Sequence, residues 1–342
     1  MKRQSLWFEG AGQVSVREEG LEAPGSGEIL LESIVSAISP GTEMLFYNGQ
    51  LEEGAAVDTT LRGYRRELAY PLRYGYASVG RIVKAGDSVD PTLVGRLAFA
   101  FMPHASASCV PADLAIPVPD GITPEEAAFL ASAETAVNLV LDCRPLLGER
   151  ASVFGLGVIG LLTAGLLTRF PLSCLSGWDL HALRREAAAS WGVMAADPRE
   201  NPPGLGTEDF AVEASGSAAG FRLALSSCGF SGRLVVGSWY GTGARSQAFN
   251  AFDTAFHRNR VRIVPSQVST IDPSLTGRWS RARRLASAWE AIRSLRPGRL
   301  ITHRVPFALA ADAYRLIAGS QGQTIQVMLV HENAGIPPLA PG

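Results

Sequence analysis

The chain has 342 residues, 46% of them hydrophobic and 18% charged, with 31 Lys and Arg against 32 Asp and Glu. That length exceeds what one hydrophobic core usually supports, so two domains are expected, and the composition excludes a disordered chain. The near-balance of charge removes any electrostatic reason to expect nucleic acid or an anionic membrane as partner.

Met1–Gly10 carries two basic residues but no apolar core of signal-peptide length. Strand character appears at Glu28–Ala37 and again at Ala77–Val83 and Gly95–Phe101, all β-rich and punctuated by Gly and Pro. These segments predict a β-barrel-like domain with irregular loops over residues 1–121. Pro117–Gly121 (PVPDG) is a turn-rich boundary. Beyond it, Thr123-Pro124-Glu125-Glu126 joins an N-cap, a first-turn proline and acidic residues, and so opens a helix.

Short apolar strands then alternate with helices. The pattern predicts strand Ala151–Phe154, helix Val158–Leu167, strand Ser173–Trp178, helix Leu183–Trp191, strand Phe210–Glu213, helix Ala218–Ser227 and strand Arg233–Gly237. Such alternation is the βαβ signature of a doubly wound parallel sheet, placed here at residues 122–265. The apolar run Val153–Leu167 is too short to span a bilayer and is followed by Arg169 and Pro171. A long helix, Arg281–Leu295, then helix Ala310–Ala318 and strand Ile325–Val330 return the chain to the first domain over 266–332. Residues 333–342 read as a frayed Pro/Gly-rich tail. The four cysteines (Cys109, Cys143, Cys174, Cys228) form no C-x-x-C pair, which points to a reduced, cytoplasmic setting.

Gly155-Leu-Gly157-Val-Ile-Gly160 matches G-x-G-x-x-G between an apolar strand and an apolar helix, the context in which the motif carries information. The first glycine permits a tight turn, the second lets the backbone approach a pyrophosphate, and the third lets helix and sheet pack closely. The N–H groups of Val158, Ile159 and Gly160 then face the phosphates. Asp179 ends the next strand nineteen residues after Gly160, where a carboxylate meets the adenosine ribose. That acid favours NAD over NADP, whose 2′-phosphate would meet like charge. Arg184 and Arg185 are the counter-argument, either lying on the helix surface or swinging over to a phosphate.

These features, with GEILLESIVSAISPGTE, Tyr74–Gly80 (YGYASVG), Asp209–Gly216 (DFAVEASG) and Gly232–Gly237 (GRLVVG), resemble the medium-chain dehydrogenase/reductase superfamily nearly end to end. SPGTE, YGYASVG, MPHAS and RWSRARR look more narrowly like a zinc-free branch similar to bacteriochlorophyllide hydroxyethyl dehydrogenases. The resemblance implies a Rossmann domain inserted in a GroES-like substrate domain, and a homodimer acting on a small-molecule substrate. It adds Gly216 and Gly237 to the nucleotide contacts. The zinc-ligand positions of the family fall on Pro40, Tyr76, Ala77 and about Ala131, and only Cys109 lies where the structural zinc lobe would be, so neither zinc is expected.

The polar residues left for chemistry each carry two readings. Thr42, next to Glu43, stands at the family's proton-relay hydroxyl or caps a turn. Tyr76 donates a hydrogen bond to a carbonyl oxygen or is a half-buried aromatic. His104 is a reserve acid/base or an exposed or structural loop residue. Glu134, in the apolar helix AAFLASAETAVNLVL, faces the cleft or the helix surface. Trp279, Arg281, Arg283 and Arg284 grip an anionic substrate or form an exposed helical face. The expected function is metal-independent, NAD-dependent interconversion of a secondary alcohol and a ketone. An NADPH-dependent enone or quinone reductase and a non-catalytic nucleotide-binding protein stand as alternatives.

Overall fold

A computed structural model describes residues 1–52, 54, 56, 57, 64, 67–242, 252 and 254–332; the tail expected at 333–342 lies outside the described residues. The chain forms two compact units, Met1–Ala131 with the segment from Arg296 onward, and Ser132–Leu295.

The first unit opens with an antiparallel hairpin, β1 (Lys2–Gly10) and β2 (Gln13–Gly20), which the sequence reading did not separate from its surroundings. Strand β3 (Glu28–Ala37) is flanked by β4 (Ser78–Ala85) and β6 (Ala107–Pro111), both antiparallel, and β5 (Leu97–Ala100) links β4 to the short β7 (Ile116–Pro117). Ile29 and Leu31 of β3 are fully buried with Ile82, Ala98 and Val110, because alternate side chains of a strand project from the same face of the sheet and this face meets the core. Between β3 and β4 a short helix, α1 (Thr42–Tyr47), buries its last five residues. The expected helix start at Thr123 is present. In α2 (Pro124–Ala127), Thr123 Oγ1 accepts the Glu126 N–H and Glu126 reaches back to the Thr123 N–H, a reciprocal cap.

The second unit starts within α3 (Leu130–Cys143), at Ser132. It then alternates β8 (Arg150–Phe154), α4 (Val158–Leu167), β9 (Cys174–Trp178), α5 (Ala182–Ala189), β10 (Met194–Ala196), β11 (Glu208–Glu213), α6 (Ala218–Ser227), β12 (Cys228–Val236) and β13 (Arg262–Pro265). Six parallel strands lie in the order β10-β9-β8-β11-β12-β13. The order reverses at β8 and β11, so the loops leaving those two strands diverge and open a crevice for a ligand. Helix α4 is apolar nearly all round. Its Gly165 lets Leu295, at the end of helix Arg281–Leu295, approach to 3.1 Å of where a Cβ would stand.

The chain then rejoins the first sheet through β14 (Ile301–Pro306) and β15 (Gln326–Val330), which are parallel to one another, with β15 antiparallel to β3. Between them, helix Ala310–Gly319 packs Tyr314 and Ile317 into a core shared with Leu6, Phe8, Phe46, Tyr74, Val327 and Leu329. No helix among the described residues is long and apolar enough to cross a membrane.

Candidate functional site

Strand β8 ends in a turn at Gly155, whose φ of 89° is left-handed. A Cβ there would lie 2.5 Å from the Ser215 backbone, and one at Gly160 only 1.8 Å from the Gly155 carbonyl oxygen. Both positions therefore demand glycine. A Cβ at Gly157 would meet nothing within 4 Å. The backbone at Gly157 is thus bare and open, as a diphosphate requires. Gly157 caps α4 with no side-chain acceptor, which leaves the N–H groups of Val158, Ile159 and Gly160 without intrahelical partners.

Asp179, buried at the end of β9, accepts the N–H of Leu156 at 2.8 Å and that of His181 at 2.9 Å. Asp179 therefore braces the glycine turn. Arg184 does not stay on the helix surface. Its Nη1 stands 3.7 Å from Asp179 Oδ2, and Arg185 Nη1 donates to the Asp179 carbonyl at 3.0 Å and approaches Asp197 at 3.5 Å. Gly216 is exposed with φ 66°, and its N–H donates to Ser238 Oγ at 2.9 Å. At Gly237 a Cβ would lie 2.9 Å from Leu139 Cδ2, so that glycine has a reason in helix packing alone.

The sequence reading missed Glu213. This fully buried carboxylate ends β11, accepts both the N–H (2.7 Å) and the Oγ–H (2.6 Å) of Ser215, and also the Tyr240 hydroxyl. Burial, with Glu213 adjacent, holds the Tyr240 phenol far above its ordinary range. Since Ser215 is the residue against which Gly155 packs, Glu213 fixes the far wall of the glycine turn.

In the first unit, Tyr76 is half-buried and its hydroxyl points at Thr42 Oγ1, 3.5 Å away. Thr42 is the first residue of α1, and its N–H donates to Ser39 Oγ at 3.3 Å. His104 is not exposed: it is fully buried, with Nε2 3.0 Å from Glu43 Oε2. The Glu43 carboxylate, also fully buried, accepts the Ser39 N–H at 2.8 Å and the Tyr314 hydroxyl as well. Burial first, then Glu43, pushes the Tyr314 phenol well above its usual range. His331, stacked on Phe307, is driven down to about 3 by burial and by His104, so it stays neutral. A lone acid directly before the apolar run MLFY of α1 was the available signal for Glu43. Tyr314 gave none beyond its place on an apolar helix face.

Glu134 and Arg284 take neither of their expected positions. Glu134 is 4% exposed and Arg284 2%, and they pair with each other: Nε at 3.1 Å and Nη2 at 2.9 Å from Glu134 Oε1. Arg284 Nη1 donates to Asn138 Oδ1 at 2.8 Å and to the Thr270 carbonyl at 3.2 Å. A buried acid and a buried base have neutralised each other, so neither is available to a substrate. Arg281 is exposed with Nε 3.9 Å from Glu134, and Arg283 lies 4.3 Å over the Trp279 ring. As for a metal, Pro40, Ala77 and Ala131 offer no donor atom, and no three His, Cys, Asp or Glu side chains are grouped to hold one among the described residues.

No family model matches the chain. It is 27% identical to the 2-desacetyl-2-hydroxyethyl bacteriochlorophyllide A dehydrogenase of Rhodobacter capsulatus, over 92% of this chain and 94% of that protein. Its fold superimposes on an alcohol dehydrogenase of Escherichia coli CFT073 complexed with NADH, at TM-score 0.74 and 18% identity, over 96% of this chain and 99% of the other. A putative zinc-binding dehydrogenase of Sinorhizobium meliloti 1021 bound to NADP matches at TM-score 0.73 and 18% identity, with the same coverage.

Proposed function

We propose that the chain is an enzyme of the medium-chain dehydrogenase/reductase superfamily and that it interconverts a secondary alcohol and a ketone with NAD, without a catalytic metal. The observation that carries the nucleotide assignment is the open backbone at Gly157, set between two positions where only glycine fits. Asp179 and the free N–H groups of α4 would hold the dinucleotide, and its nicotinamide ring would supply or accept the hydride.

The protein must then manage charge on the substrate oxygen. A phenol carries its proton at neutral pH, so Tyr76 can donate it to the forming alkoxide during reduction and take it back during oxidation. In oxidation Thr42 Oγ1, 3.5 Å from the Tyr76 hydroxyl, would accept the proton that Tyr76 gives up as it takes one from the alcohol; in reduction it would return a proton to the tyrosinate. His104, buried and engaged by Glu43, leaves this role to Tyr76. The hydroxyethyl group in the name of the Rhodobacter relative supports an alcohol carbon as the reacting centre. The donor-free side chains of Pro40, Ala77 and Ala131 support the metal-free reading.

Enzyme treated with a chelator and dialysed is expected to reduce NAD with secondary alcohols as fast as untreated enzyme. Activity that is lost on chelation and restored by zinc would overturn the metal-free reading. Reduction of conjugated C=C bonds alone would overturn the alcohol assignment.

Asp179 separates the two nucleotides because a 2′-phosphate would meet its carboxylate. Asp179→Asn removes the charge together with one of the two acceptors that the Leu156 and His181 N–H groups use, and should weaken NADH binding roughly tenfold and NADPH binding less. Fluorescence titration measures both. Tighter NADPH than NADH binding by the unaltered enzyme would mean that Arg184 outweighs Asp179.

A further inference from the structure

We propose that Glu43, His104 and Tyr314 form a buried positioning cluster that holds the Thr42–Tyr76 hydroxyl pair in register; the proposal rests on the reading of Tyr76 as the proton donor. All three side chains are fully buried, and Glu43 is the hub, accepting from Ser39, His104 and Tyr314. A carboxylate is taken so far from water only where several donors replace its hydration. The Ser39 and His104 ties lead to the two sides of the hydroxyl pair.

On the Thr42 side, the turn is closed three times. The Ser39 N–H donates to Glu43 Oε1 at 2.8 Å, the Glu43 N–H to the Ser39 carbonyl at 3.1 Å, and the Thr42 N–H to Ser39 Oγ at 3.3 Å. Thr42 therefore cannot move without breaking the Glu43 anchor. On the Tyr76 side, the His104 ring lies against Gly75. A Cβ there would sit 2.5 Å from His104 Cδ2, and the His104 N–H donates to the Tyr74 carbonyl at 3.3 Å. The ring thus sets the height of the backbone immediately before Tyr76. Because an accepting carboxylate requires the proton on Nε2, the Glu43–His104 bond also fixes the ring's orientation.

Tyr314 holds Glu43 from a third direction. Its ring is stacked on Tyr47 at 5.6 Å and edge-on to Phe8 at 5.3 Å, so its hydroxyl has little freedom. This matters because the Tyr76–Thr42 separation of 3.5 Å is already beyond the usual range of about 2.5–3.0 Å for O–H···O, so the pair has no slack. A small shift of either partner breaks the relay, and displacements of about 1 Å near reacting groups can cost about a hundredfold in rate.

The test uses Glu43→Gln and Tyr314→Phe, each alone and combined with Tyr76→Phe, with kcat, KM, NADH affinity and melting temperature measured for all. Each single variant should lose about tenfold in kcat with KM and NADH affinity unchanged, and Tyr314→Phe, the milder packing change, should melt close to the unaltered enzyme. In the Tyr76→Phe background the further loss should be under about twofold, because the cluster acts through that hydroxyl. Losses that multiply with Tyr76→Phe, or an unchanged kcat in both single variants, would overturn the proposal. Full turnover by Tyr76→Phe alone would instead sink the donor reading, and the cluster's role with it.

Discussion

Tyr76→Phe is expected to lower turnover by roughly a hundredfold while leaving NADH affinity unchanged, since it removes one hydroxyl and keeps the ring. The ring itself is needed for packing: it lies 6.0 Å from Tyr74 in an edge-on pair and borders the core of Phe46, Leu72 and Tyr314. A phenylalanine preserves those contacts, so a fall in rate reports the proton and not the fold. Steady-state turnover of a secondary alcohol, with a parallel NADH titration, measures both. Near-normal turnover in this variant together with collapse in His104→Ala would move the acid to His104, despite its burial.

Arg284→Met is expected to destabilise the second unit by about 3–5 kcal/mol, because it strands the Glu134 carboxylate in an apolar interior. Asn138 Oδ1 and the Thr270 carbonyl lose a donor at the same time. The melting temperature should fall by about 10 °C. Replacing both partners, Glu134→Leu with Arg284→Met, should recover a large part of the loss, since the buried charge is then gone and comparable volume remains. Calorimetry of the two variants checks this. A single-variant loss below about 1 kcal/mol would mean that the pair is solvated, and the exposed-face reading of the RWSRARR stretch would then stand.

In the second unit the sequence by itself determined the four central strands and the helices between them, because that information is local; the short edge strands Met194–Ala196 and Arg262–Pro265 carried too little pattern to be read. Helices Val158–Leu167, Ala218–Ser227 and Arg281–Leu295 begin and end where cap, periodicity and flanking polar residues place them. The requirement for glycine at Gly160 follows from a turn only six residues long, and at Gly155 from its left-handed φ, to which the Ser215 backbone adds a distant constraint. The Thr123–Glu126 cap spans four. Even the burial of Arg284 was legible in principle, for it shares a helical stripe with Ala288, Ala291, Ile292 and Leu295.

Tertiary structure alone decided which charges cancel and which remain. Glu134 finds Arg284 at a separation of 150 residues, and Glu43 finds Tyr314 at 271, and no pattern of spacing announces either meeting. A charged residue read by itself on a helix looks like a surface or a ligand contact. It becomes a structural pair only when the fold brings its partner within hydrogen-bond reach and removes water from both. The same holds for His104, whose loop reads as exposed until the glycine at position 75 makes room for its ring. Chain-local physics sets the elements. The chemistry of the site depends on desolvation and on partners distant in sequence, and those exist only once the sheets have closed over them.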